Sequence, residues 1–303
     1  MRIRTTYFCL FLFGLLFCSA CSQKEKAPVP AAVTTVRDTL PKIALTPTLD
    51  CLPFYWAERH GLYDRLGLNI SISTYPSQFD CDSAVLGKSA VGGISDLVRV
   101  AYYGKRHKTL DILTATDNRW GLVVSHDLRV KSINRMKNYM IAVARYSASD
   151  LYSEQILKKN NLGYTDVFRP QINNYYLRTS MLNENQINAA VLPEPHLTSA
   201  RLARNPVLAE DSTGTQSMGC FVVNPLALKA LNHKDFTKKL LEGYNQAVDS
   251  LNKGGVAVCR RILSEDYKLS DETINALRLV HFEHARKPDE KFLKIAENFV
   301  AQH

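Results

Sequence analysis

From residue 42 onward, short apolar runs alternate with longer stretches in which apolar residues recur every three or four positions. "KIALT" (42–46) predicts a strand. Residues 53–60 predict a helix, with Pro53 near its first turn and Gly61 placed to end it. "LNISIST" (68–74) alternates between Gly67 and Pro76, the pattern of a second strand. "FDCDSAVLGK" (79–88) predicts a helix closed by Gly87, and "AVGGIS" (90–95) a third strand leading into a helix through residues 97–103. "TLDILTA" (109–115) makes a fourth strand.

A second set follows "WGLVVSHD" (120–127). "MIAVA" (140–144) predicts a strand, and "RYSASDLYSEQILKKNNLG" (145–163) a helix that starts in Ser and Asp and ends at Gly163. "QINNYY" (171–176) is expected as a strand, "RTSMLNENQ" (178–186) as a helix, "AAVLPEP" (189–195) as a strand end, "HLTSARLAR" (196–204) as a helix and "NPVLAED" (205–211) as a strand. "GCFVVN" (219–224) reads as a returning strand, and everything from Pro225 on as helical.

This strand–helix rhythm predicts an α/β protein with mostly parallel sheets, because parallel neighbours need crossovers and the crossover helices cover both faces. Two such sets, with a helical tail returning to the first, predict two lobes joined by two hinge crossings, "GLVVSHD" and "GCFVVN". The expected boundaries are 42–121 with 221–303 for lobe one and 122–220 for lobe two. The ligand cleft is expected at the carboxyl ends of the strands, with few residues absorbing the motion of closure.

The N-terminus sets the compartment. Arg2 and Arg4 precede the apolar run "YFCLFLFGLLF" (7–17), which is followed by small residues. That is the order of a secretory signal, and the run is too short to span a bilayer. Its end, Cys18-Ser19-Ala20-Cys21, resembles the bacterial lipoprotein cleavage box, with Cys21 as the lipidated first mature residue and Cys18 where Leu is usual. A plain signal cut elsewhere is the alternative. Residues 1–20 are thus expected to be a signal peptide, and residues 21–41, rich in Pro, Ala and Thr, a flexible tether.

Removing residues 1–20 takes away Arg2 and Arg4 and no acid, which lowers the net charge from +9 to +7. The basic residues are scattered, with no long run and no aromatic stripe, so nucleic acid is not indicated. Past Cys21 remain Cys51, Cys81, Cys220 and Cys259, which could pair in three ways. Cys51 and Cys81, each just after a strand, are the best candidates for a bridge.

"AERHGLYDRLGLNI" (57–70), "VKSINRMKNYMIAVARYSAS" (130–149) and "AAVLPEPHLTSA" (189–200) occur in an order that resembles the periplasmic solute-binding proteins of ABC importers. The branch is the one for sulfonate, nitrate, taurine and thiamine-pyrimidine precursors. The resemblance runs from residue 42 to about 253 and implies a type II periplasmic-binding fold, a small-molecule ligand, a transporter permease as partner, no cofactor and a monomer. The chain departs from the pattern at "GKSAVGG" (87–93), where an acid is common, and at Asp50-Cys51, where the pyrimidine-precursor binders carry His.

Strand ends nominate the site. Thr48 and Asp50 follow the first strand, and Ser95 and Asp96 follow the third beside the Gly92-Gly93 pair. Local capping is the competing reading of both acids. Ser147 and Ser149 sit at a helix start whose free N–H groups favour an anion or an electron-rich oxygen, with Arg145 beside them. Glu194 lies between two prolines, fit either to touch ligand or to form a salt bridge across the lobes. Trp120 and Tyr146 are the aromatic candidates. Acids would favour an amine or aminopyrimidine, and the serines with Arg145 an oxyanion. "HFEH" (281–284) is read as a solvated helix face and not as a metal site. There is no Gly-x-Ser-x-Gly elbow, phosphate loop or dinucleotide fingerprint, so a carrier is expected. The alternative is an enzyme on the same fold, of the thiamine-pyrimidine synthase or menaquinone-pathway dehydratase type.

Overall fold

The computed structural model describes residues 40–211 and 218–303. The signal peptide, Cys21 and nearly all of the tether lie outside them. Among the described residues no helix is long and apolar enough to cross a membrane.

Two sheets organise the chain. The first takes β1 (Lys42–Leu45), β2 (Ser71–Thr74), β3 (Gly92–Asp96), β4 (Asp111–Thr116) and β9 (Gly219–Val223), in the order β2-β1-β3-β9-β4. The second takes β5 (Trp120–Val124), β6 (Ile141–Ala142), β7 (Ala189–Pro193) and β8 (Val207–Glu210), in the order β6-β7-β5-β8. β1 pairs in parallel with β2 and β3, and β6 with β7, whereas β9 and β5 pair antiparallel with both of their neighbours. Each sheet therefore runs one way except for the strand that the chain enters on arriving from the other sheet.

That arrangement places the crossings. The chain leaves the first sheet after Thr116 and enters the second at Trp120, so Asp117, Asn118 and Arg119 make the first crossing. It returns between Glu210 and Gly219. "GLVVSHD" and "GCFVVN" are thus not the crossings themselves. Their apolar residues pair as ladder strands, and the polar residues before each make the passage. β5 starts at Trp120 and β9 at Gly219, each two residues before the boundaries expected at 122 and 221.

Helices α1 (Leu52–Arg59), α2 (Leu62–Arg65), α3 (Gln78–Leu86) and α4 (Leu97–Gly104) flank the first sheet, and α5 (Ala148–Lys159), α6 (Tyr175–Asn183) and α7 (His196–Leu202) the second. "QINNYY" is not a strand. Gln171 makes a single bridge to Val143, and the Asn174 side chain then accepts the Leu177 N–H as the N-cap of α6, which turns Tyr175 and Tyr176 into a helix.

After β9 come α8 (Pro225–Leu231), α9 (Phe236–Gly254), α10 (Val256–Glu265), α11 (Asp271–Ala276) and α12 (Glu290–Gln302). Helix is not continuous there: residues 277–289 are irregular, and His281 and His284 sit in that segment instead of on a helix face. The segment lies along the edge strand β4, where Ala115 donates its N–H to Arg286 O (2.8 Å), and side chains of Asn245 and Asn252 satisfy its backbone. An edge strand left bare would invite pairing with another chain.

The main core joins α1 to β9 and α9. Phe54 lies 4.7 Å from the ring centroids of both Phe221 and Tyr244, and all three are fully buried. Burying an aromatic or Leu side chain of this kind contributes about 1.5–3 kcal/mol. A smaller cluster, including Val123, Leu182, Leu192 and Leu197, packs α6 and α7 on the second sheet. Cys51, Cys81, Cys220 and Cys259 are all free and fully buried in the core, so no bridge forms between Cys51 and Cys81, the best pair the sequence offers.

Candidate functional site

The carboxyl ends of the strands meet at the crossings. In the first sheet Asp96 and Thr116, the last residues of β3 and β4, both register with Gly219, the first of β9. In the second, Pro193 at the end of β7 registers with Trp120 at the start of β5. The polar residues nominated from strand ends therefore collect around one interface between the sheets.

Gly92 and Gly93 serve packing there. A Cβ on Gly92 would meet Val222 O at 2.6 Å, and one on Gly93 would meet Ala44 O at 2.6 Å, so β3 fits between its neighbours only without side chains. The close approach is to strands and to Val85 of α3, not to an open cleft.

Asp50 follows β1 and is buried. It accepts a hydrogen bond from Asn118 Nδ2 (2.8 Å), a crossing residue. Burial pushes its carboxyl up to about 6, against hydrogen bonds from Thr48 and Asn118. The Thr48 hydroxyl bonds that of Thr46 (2.7 Å), and its carbonyl accepts the Tyr267 hydroxyl (2.7 Å). Thr116 Oγ1, close to Gly219 and buried, has no partner.

Ser95 donates to Asp82 Oδ1 (2.7 Å), and Arg99 forms an ion pair with the same carboxylate. Burial raises the Asp82 pKa to about 6 even beside that cation. Asp96 caps α4 by accepting the Arg99 N–H (2.9 Å), and its second oxygen accepts from Gln78 Nε2 (2.7 Å) and from the N–H of Ala148 (3.0 Å), the first residue of α5.

Ser147 is the N-cap of α5. Its hydroxyl accepts the Ser149 N–H (3.2 Å), donates to Ala144 O (2.7 Å) and bonds the Ser149 hydroxyl (2.9 Å). Arg145 reaches Asp150 (3.2 Å), which Arg169 also pairs at 3.2 Å. Tyr146 lies at the rim, half-buried, stacked on Tyr102 of α4 with ring centroids 4.5 Å apart.

Glu194 is fully buried. One oxygen accepts from Arg119 (2.8 Å), the other from the Thr198 N–H (3.0 Å) in the first turn of α7, and its carbonyl accepts the Leu49 N–H (3.1 Å), just after β1. Trp120, next to Arg119, is buried.

Thr48, Asp50 and Glu194 thus gather around Leu49 and Asn118, and Ser95, Asp96, Ser147 and Ser149 around Arg99 and Ala148, while Trp120 is buried next to Arg119 and Tyr146 stacks on Tyr102. Sequence reasoning missed Gln78, Asn118 and His196. Asn118 carried a signal, being polar in a passage between two strands, but Gln78 and His196 looked like ordinary helix residues. His196 is buried against Tyr175 and Tyr176, its Nε2 is without a partner, and burial lowers its pKa to about 3. It also lines a cavity of about 360 Å³ with Tyr176, Thr179, Ser199, Ser270 and Thr273, between α6, α7 and α11. Among the described residues no group of three or more His, Cys, Asp or Glu is placed to hold a metal ion.

The backbone as a whole superposes on known structures. The alkanesulfonate-binding protein SsuA from Xanthomonas axonopodis pv. citri, bound to MOPS, matches with a TM-score of 0.74 at 16% identity, over 86% of this chain and 92% of that one. The chain has the type II periplasmic-binding fold. The periplasmic nitrate-binding protein NrtA from Synechocystis PCC 6803 shares this fold with a TM-score of 0.68 at 12% identity, over 83% and 74% of the two chains. So does the desulfurization enzyme DSZB, with a TM-score of 0.60 at 12% identity over 86% and 92%. No family model matches the chain, and no curated protein is significantly similar to it in sequence.

Proposed function

We propose that this chain is the solute-binding component of an ABC import system, a lipoprotein anchored through Cys21 on the outer side of a membrane. Its lobes, residues 42–121 with 221–303 and residues 122–220, close over a small molecule. Thr48, Asp50, Ser95, Asp96, Ser147, Ser149 and Glu194 form the polar lining, and Trp120 and Tyr146 flank it. The observation that carries this reading is the convergence of strand ends from both sheets on one buried polar interface, beside the Asp117–Arg119 passage between them. The named functions of SsuA and NrtA on the same fold support it.

A small nitrogen-containing compound of the thiamine-pyrimidine-precursor kind fits best. Asp50 accepts hydrogen bonds from the neutral side chains of Thr48 and Asn118, so an amine or aminopyrimidine would give the buried carboxylate a cationic partner. A sulfonate or other oxyanion at the start of α5 is the competing ligand class. An enzyme is the second reading, favoured by the likeness to DSZB. The buried cysteines argue against a thiol nucleophile, because burial raises the pKa of Cys51 and Cys220 and nucleophilic attack requires the thiolate.

Native mass spectrometry of the purified protein, followed by denaturing release, tests the reading. A stoichiometric, unaltered small molecule is the expected result. Turnover of the released compound by the protein would replace the carrier with an enzyme.

A further inference from the structure

Buried polar groups are hydrogen-bonded with few exceptions, and each exception asks for a reason. His196 is one. It is 3% exposed, packed against Tyr175 (5.5 Å between ring centroids) and Tyr176 (4.9 Å), and its Nε2 has no partner. A phenylalanine in the same place would leave no nitrogen unsatisfied, so the fold keeps the imidazole at a cost to its stability.

The imidazole also lines the cavity of about 360 Å³ between α6, α7 and α11, a size usual for small-molecule sites. Buried Thr179 and Thr273 line it too, with Ser199 and Ser270. Tyr176 adds an aromatic wall, and its hydroxyl donates to Tyr267 O (2.9 Å), 91 positions further on, which ties the two sides together.

Charge narrows the class of occupant. Burial lowers the His196 pKa to about 3, and Arg178 adds to the effect, so the imidazole is neutral and offers one donor and one acceptor. The charged lining residues, Glu184 and Lys268, are both exposed and opposite in sign. The buried walls therefore hold no charge to pair with an ion, and an ion buried without a partner is costly. Arg178 opposes a cation further, because it donates to the carbonyls of Ile172 and Val191, which leave its charge uncancelled. What such walls match is an uncharged solute whose groups both donate and accept, as hydroxyls do, with C–H faces for the tyrosine ring.

We propose that this cavity is a binding site for a small polyhydroxyl compound, a polyol or monosaccharide, with His196 as a hydrogen-bonding contact. The site goes beyond the carrier reading and stands without it.

Isothermal titration of the full-length protein with glucose, gluconate and glucosamine compares one size of solute in three charge states. Glucose is expected to bind with a Kd of about 1 mM or tighter. The gluconate anion and the glucosamine cation should bind at least about tenfold more weakly. His196→Phe keeps an aromatic ring and removes both nitrogens, and should weaken glucose by at least about tenfold. Its unfolding temperature without solute should be no lower than that of the wild type, since no polar group is left unpaired.

Unchanged glucose affinity in folded His196→Phe overturns the proposal. So does a wild type that takes no glucose, or one that binds all three compounds alike. If His196→Phe does not fold, Ser199→Ala removes one hydroxyl from the wall; a loss of about threefold or more is expected, and unchanged binding is equally fatal.

Discussion

Asp50 shows how burial of one carboxyl reaches the stability of the whole chain. Its pKa is raised from 3.8 to about 6, so the folded protein holds the proton more tightly than the unfolded chain does. Stability conferred this way is fully present at low pH and is lost as pH rises between about 4 and 6, by about 3 kcal/mol in total. Asp82, raised to about 6 as well, gives a second contribution of the same sign. Asp50→Asn is therefore expected to reduce the pH dependence over that window by about one proton. Urea denaturation at pH 4, 5, 6 and 7 measures it, and a variant with the wild-type slope would refute the assignment. Ser147 poses a different question, cap or ligand contact. As a cap, Ser147→Ala should cost about 1 kcal/mol without ligand and Ser147→Gly only a few tenths. A loss confined to the ligand-bound protein would instead point to direct contact. Glu194 is buried with two charged or polar partners, and Glu194→Ala should cost about 3 kcal/mol in urea denaturation.

Elements were legible where pattern and packing agree. The strands β1, β3 and β9 are short apolar runs whose neighbours bury both faces, and their positions followed from the sequence to within a residue or two. "QINNYY" failed because its alternation competes with a local signal: Asn174 caps the helix that its two tyrosines begin. The crossings were displaced for a related reason. Apolar runs advertise strands, while the passage itself is made of Asp117, Asn118 and Arg119, which carry no period. Of the proposed site, the strand-end acids and serines are nominated from sequence. Their partners are not, because Asp96 and Ala148 are 52 positions apart and only the fold joins them. The Gly92-Gly93 pair was legible as close approach but not as approach to what. Gly93→Ala should cost about 1–3 kcal/mol, since its Cβ would meet Ala44 O at 2.6 Å and backbone must move. Thermal unfolding compared with Gly104→Ala, where a Cβ meets nothing within 4 Å, separates crowding from loss of glycine.

For the molecule as a whole, the four core thiols give a check on compactness. None of Cys51, Cys81, Cys220 and Cys259 should react with a thiol reagent in the native protein, and all four should in guanidinium chloride. Early reaction of any of them would mean that its lobe opens more readily than its packing implies. The proposed anchor is tested by Cys21→Ala, which should move the protein from the membrane fraction to the soluble one.

The first crossing also has an optical consequence. The chain contains two tryptophans. Trp56 belongs to α1 and stacks on His60, the residue that ends that helix, 3.8 Å between ring centroids, so rigid movement of a lobe leaves this contact unchanged. Trp120 is the residue at which the crossing ends and the second sheet begins, buried beside the Arg119–Glu194 ion pair. Any rotation of one sheet against the other changes the field at that indole. A Trp56→Phe protein would then carry a single tryptophan at the end of the first crossing, and its emission, excited at wavelengths the fourteen tyrosines do not absorb, would follow opening and closing in real time without an attached dye.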